Sequence, residues 1–171
     1  MTHSSTDAGV AGLGDPRLRA FLADHAVQAE ILAPGVPMPT VPLAAAAIGV
    51  REEQIIKSVL FKDGAGAAVL AIACGTARID RHRLAEVTGI PGLRLADAET
   101  VLAATGFPAG GVSPVGHATR FPVVVDQRVM DSEHVYGGAG TEETLVKIAP
   151  IDIVRLTGAV IADITGSTQS P

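Results

Sequence analysis

Three features of the chain combine residue types and spacing that suit the holding of a ligand by a charged side chain and backbone N–H groups. Lys57 stands inside the apolar run Ile55-Ile56-Lys57-Ser58-Val59-Leu60-Phe61, which reads as a strand, and a charge within a strand requires a reason. From strand position alone it serves equally as a solvent-facing lysine of an edge strand, a common device against edge pairing. The second feature is the loop Gly106-Phe107-Pro108-Ala109-Gly110-Gly111-Val112-Ser113-Pro114-Val115-Gly116-His117. Paired glycines before a proline-fixed turn let the backbone approach a ligand closely and aim successive N–H groups into one cavity. Taken alone, the same loop is an ordinary tight turn. The third feature, Gly137-Gly138-Ala139-Gly140-Thr141, reads by itself as a hairpin turn.

Other reactive side chains carry less. Asp126, at the end of an apolar strand, fits either a substrate amine or the more usual task of capping the next turn. His117 has the chemistry of a proton shuttle but no visible acidic partner, so it reads as pocket lining. The basic cluster Arg78, Arg81, His82 and Arg83 reads as a solvated helix start. Cys74 is the single cysteine and lies in an apolar stretch, which suits a core residue and excludes an internal disulfide or a paired-cysteine zinc site. The five histidines have no spacing that puts two on one helical face, so no metal is expected. No strand leads into GxGxxG or GxxxxGK[ST], which argues against a dinucleotide or ATP site, and no cofactor is expected.

These residues are positioned by a regular order of elements. Asp15-Pro16 starts a helix over 16–25, a strand is expected over 27–32, and Thr40 caps a helix to Ile48 that Gly49 closes. Strands 55–61 and 67–74 form a hairpin around Asp63-Gly64. Asp80 caps a helix to Thr88, a short strand follows at 93–95, and Asp97 opens a helix to about Ala104. Strands are expected at 121–126, 134–136 and 144–148, then a helix over 150–156 and a last strand over 160–164. Helices alternate with strands while the hairpin is antiparallel, so the class is α+β with a mixed sheet. One domain over 15–165 is expected, with loose ends at 1–14 and 166–171.

With 171 residues, 47% of them apolar and only 3% aromatic, the chain can bury a sizeable core of Ala, Val, Ile and Leu. It shows neither a membrane-spanning run nor a leader pattern, so a cytoplasmic protein is expected, with no membrane partner. The net charge of −5 is unevenly placed: residues 57–128 hold eight basic and six acidic side chains, the rest five and twelve. Such a balance permits a short contact with an RNA terminus and disfavours a long duplex footprint.

The order Ile56-Lys57-Ser58, Gly106-Phe107, Gly110 to His117, a strand ending at Asp126, and Gly137 to Gly140 resembles the YbaK and prolyl-tRNA synthetase editing-domain family over about residues 16–164. The resemblance implies a curved mixed sheet flanked by helices and hydrolysis of mischarged tRNA, often tRNA for proline carrying alanine, 2-aminobutyrate or cysteine. It implies catalytic roles for Lys57 and for the backbone N–H groups of Gly110, Gly111 and Gly116. It further implies substrate contacts from Ser58, Val112, Ser113, Pro114, His117, Asp126, Gly138 and Gly140. Cysteine-specific relatives have an aromatic residue where this chain has Leu32-Ala33 and an acidic one near Thr144, where the nearest carboxylates are Glu142 and Glu143. The resemblance therefore does not single out cysteine. A transient complex with prolyl-tRNA synthetase, and a monomer or homodimer, are compatible with it. A non-catalytic tRNA-binding or synthetase-associated module would keep the same fold without needing Lys57.

Overall fold

The computed structural model describes residues 13–166. Two sheets organise them. The larger is mixed and has the order β4-β2-β3-β5-β8, from β2 (Ile56–Lys62), β3 (Ala68–Cys74), β4 (Arg94–Leu95), β5 (Val123–Asp126) and β8 (Val160–Ala162). The smaller is antiparallel, with the order β1-β7-β6, from β1 (Glu30–Leu32), β6 (Val135–Gly138) and β7 (Leu145–Ile148). A single parallel bridge, Ile55 to Tyr136, joins them. The α+β class with a mixed sheet is as expected, and a second sheet stands beside it.

β3 forms the centre because nearly every side chain on it is apolar, so both its faces can be covered. Residues 69–73 of β3 are wholly buried. It pairs antiparallel with β2, Lys57 opposite Ala73, and parallel with β5. The β2–β3 turn is fixed by Asp63, whose Oδ1 accepts the N–H groups of Ala65 and Ala67.

Helices begin and end where local chemistry dictates. Asp15, Thr40, Asp80 and Asp97 each accept a first-turn N–H for α1 (Pro16–Asp24), α2 (Val41–Ile48), α3 (Arg81–Thr88) and α4 (Ala98–Thr105). Gly49, Gly89 and Gly106 close α2, α3 and α4 in the left-handed conformation. α5 (Pro150–Thr157) starts on a proline, for which the missing N–H costs nothing there.

Some boundaries differ from expectation. The strand expected from residue 27 begins at Glu30, because the N–H groups of Ala26 and Val27 close the end of α1 onto Ala23 O and Leu22 O and are unavailable to a ladder. Gly137 and Gly138 belong to β6, not to a turn, so the β6–β7 connection is 139–144. β8 stops at Ala162, short of residue 164, where the Ile164 N–H turns inward to Asp126. Most of the loose ends expected at 1–14 and 166–171 lies outside the described residues. Leu13 and Gly14 have their carbonyls held by Arg19, and the Gly166 N–H donates to Arg78 O. No helix among the described residues is long and apolar enough to cross a membrane.

Candidate functional site

A cleft of about 280 Å³ opens where the two sheets meet. Its floor is the first half of β2, since β4 pairs only with Phe61 and Lys62 and leaves the earlier residues of β2 without a ladder partner on that side. Lys57 and Ser58, consecutive on the strand and so on opposite faces of it, both line the cleft. The Lys57 ammonium donates to Gly75 O at 3.4 Å and to Ala77 O, so two of its three protons are fixed by backbone carbonyls. Partial burial pulls its pKa below the ordinary lysine value, while the nearby Cys74 opposes that shift. This is not the solvated lysine of an edge strand.

Ser58 Oγ is buried and has no hydrogen-bond partner among the described residues. A hydroxyl in that state costs about 1–3 kcal/mol, which a ligand accepting or donating one hydrogen bond would recover. The opposite wall is Gly110, Val112 and Gly138, together with the β6–β7 connection and the start of α2. Gly110 has φ +89°, and a Cβ built there would meet nothing nearer than Glu142 Oε1 at 3.9 Å, so its backbone faces open space.

Gly111 and Gly140 do something different. A Cβ on Gly111 would stand 2.9 Å from the Gly140 carbonyl carbon, and the Gly140 N–H donates to Gly111 O at 2.9 Å. The two glycine clusters are thus pressed together backbone to backbone, and this contact holds Gly110 and Val112 over Lys57. Pro114 packs on Gly137, where an added Cβ would lie 3.0 Å from Pro114 Cδ.

The remaining candidates lie elsewhere. Ser113 is fully buried and its Oγ accepts the Val115 N–H. Asp126 is fully buried, accepts the N–H groups of Arg128 and Ile164, each at 3.0 Å, and forms an ion pair with Arg128, which is the turn-capping task. Gly116 packs on Phe21 and Leu18, and the His117 ring is placed between Phe107 and Phe121 with Nε2 donating to Ser113 O. Neither Gly116 nor His117 lines the Lys57 cleft, because the chain turns away after Pro114.

Lining residues with no clear mark in the sequence include Met38, Val41 and Leu145. Thr141 and Thr144 join through their hydroxyls at 2.7 Å, and the Met38 N–H donates to Glu142 O. Glu142 is the one carboxylate lining the cleft among the described residues. Leu145 is paired with Leu32, so the position where an aromatic was looked for backs this wall with an aliphatic side chain. Among the described residues, no three of His, Cys, Asp and Glu group as a metal site requires.

Comparison with known proteins identifies a family and a shared fold. The model of the aminoacyl-tRNA editing domain family matches residues 36–156. An Enterococcus faecalis protein named "Putative Cys-tRNA(Pro)/Cys-tRNA(Cys) deacylase EbsC" is 26% identical over 71% of this chain and 74% of its own. A proline–tRNA ligase of Desulfotalea psychrophila is 30% identical over 71% of this chain but only 21% of the ligase. A crystal structure described as "a putative trans-editing enzyme for prolyl tRNA synthetase" superposes with a TM-score of 0.82 at 32% identity, covering 90% of this chain and 99% of that one. The matched segment contains the strand with Lys57, both glycine clusters and every wall of the cleft, and the chain belongs to the aminoacyl-tRNA editing domain family.

Proposed function

We propose that the protein is a cytoplasmic trans-editing deacylase that hydrolyses the ester of mischarged tRNA, the tRNA being that for proline and the amino acid alanine, 2-aminobutyrate or cysteine. The observation that carries this reading is what lines the cleft: a lysine with one uncommitted N–H and a buried serine hydroxyl without a partner. An aminoacyl ester is already activated, so its hydrolysis needs a positioned water and donors for the developing oxyanion more than a nucleophilic side chain. Lys57 polarises the ester carbonyl with its free N–H, and Ser58 Oγ and the backbone around Gly110 hold the aminoacyl group. Glu142 accepts the substrate's α-ammonium. Water attacks the carbonyl carbon, the ester C–O bond breaks, the terminal ribose oxygen leaves as a hydroxyl, and the amino acid leaves as its carboxylate. A neighbouring ribose hydroxyl of the substrate serves as the base. The relatives named for cysteinyl-tRNA and for proline–tRNA ligation support the choice of tRNA.

The test is release of amino acid from preformed tRNA for proline carrying Ala, Cys, Ser, 2-aminobutyrate or Pro, with wild type and Lys57→Ala compared. Release of a small residue above the spontaneous rate, lost in Lys57→Ala and absent for proline, is expected. A wild type that binds the tRNA and releases nothing would establish the non-catalytic module instead.

A further inference from the structure

A second cleft of about 490 Å³ lies on the other side of the loop that lines the first. The loop connects them: Gly110 and Val112 face the Lys57 cleft, and Gly116 and His117 face this one. Six residues fully extended reach about 20 Å, so the two sites are no farther apart than a few nucleotides.

Its lining is unusual for this chain. Of four phenylalanines in the whole sequence, Phe21 and Phe121 line the cleft, and Phe107 sits directly behind His117. Phe21 and His25 are one helical turn apart and stack with ring centroids at 4.1 Å, and His25 is exposed. The His25 Nδ1–H donates to Phe21 O, which leaves Nε2 uncommitted. The His117 Nε2–H is likewise committed to Ser113 O, and burial pulls its pKa down, so the ring is neutral with a free lone pair on Nδ1. Arg120 lines the cleft and forms no ion pair among the described residues. Among the described residues, no carboxylate lines it. Planar faces, ring nitrogens and an unpaired guanidinium group together fit a base joined to a phosphate.

We propose that this second cleft receives an unpaired nucleotide of the RNA whose terminus enters the Lys57 cleft, its base on the Phe21–His25 stack and Phe121 and its phosphate on Arg120. The identity of the RNA rests on the function proposed above. The neighbouring cleft on the same loop favours an RNA nucleotide over a free one, since one strand can then engage both.

Filter binding of uncharged tRNA tests this with His25→Ala and Arg120→Ala, both at exposed positions. His25→Ala is expected to weaken binding roughly tenfold. Arg120→Ala is expected to lower the slope of log K against log salt by about 1. Both effects should vanish on tRNA trimmed of its unpaired 3′ nucleotides. Unchanged affinity and slope, or equal losses on trimmed tRNA, overturn the proposal. So does AMP that binds the wild type and not the variants while tRNA binding stays unaltered, and so does a wild type that fails to bind tRNA. Binding that follows the expected pattern without any hydrolysis overturns only the deacylase reading.

Discussion

A Cβ built on Gly138 would stand 2.6 Å from the carbonyl oxygen of Val112, closer than any side chain tolerates. Gly138→Ala must therefore push the glycine loop off β6, and with it the wall facing Lys57. A loss of at least about a hundredfold in kcat/KM is expected, comparable to removing one oxyanion donor. Gly111→Val is expected to act the same way through Gly140. Gly110→Ala meets nothing nearer than Glu142 Oε1 at 3.9 Å but adopts φ +89°, so it should cost about 1–2 kcal/mol of stability and less activity than Gly138→Ala. Deacylation rates and thermal melts of the three variants check the order; full activity in Gly138→Ala would show that the loop is not part of the site.

The pH dependence should follow Lys57. Activity needs the ammonium, whose pKa burial has moved below the ordinary 10.5. The rate is expected to fall as pH rises through that lowered value, earlier than an exposed lysine would require. The effect on stability runs the other way. The unfolded chain holds this proton more tightly, so Lys57 opposes folding below its folded pKa and the opposition fades as pH rises toward the unfolded value. Lys57→Ala should lose about 10²–10³ in kcat. An alkaline limb that survives unchanged in Lys57→Ala would assign it to another group.

Selectivity among small side chains should be modest. The wall that Leu32 backs is aliphatic at Leu145, and the Thr141 and Thr144 hydroxyls are occupied with each other. A wall of this kind sorts substrates by size, and one methylene is worth about 1–3 kcal/mol. The alanyl and cysteinyl esters on one tRNA should differ by less than about a hundredfold in kcat/KM; a larger cysteinyl preference would reveal a thiol-specific contact.

Behind the loop, Thr105 is fully buried, donates to Val101 O at 2.7 Å and accepts the Phe107 N–H at 3.1 Å. Thr105→Val keeps the shape and strands that N–H, which should cost about 1–3 kcal/mol. The melting temperature should drop by about 2–4 °C per kcal/mol. An unchanged Tm would mean that Phe107 finds another acceptor.

Much of this was legible in the sequence where the cause is local. Thr40 and Gly49 bound α2 at the expected residues because a cap needs only its own turn. The Asp63-Gly64 turn fixes the β2–β3 register for the same reason. Lys57, Ser58, Gly110, Val112 and Gly138 were each explicable alone as strand or turn residues and were singled out by the order of motifs that resembles the family; they meet in one cleft. Gly111 and Gly140 carried the same mark, but their cause is the apposition of two backbones 29 residues apart, which no local pattern reveals. Asp126 and His117 looked chemical because polarity at a strand or loop end is ambiguous until burial decides it. Met38 and Leu145 were invisible as site residues, being ordinary apolar positions whose placement depends on how the smaller sheet meets the larger.

The bridge between Ile55 and Tyr136 has a practical side. The chain has no tryptophan, and Tyr136 is its only tyrosine. That ring is nearly buried in one cluster with Met38, Ala44, Ile55 and Leu145, all of which line the Lys57 cleft. Every photon of tyrosine emission from the unmodified protein therefore originates beside the site, and its intensity and anisotropy report occupancy of the cleft without a label or a substitution.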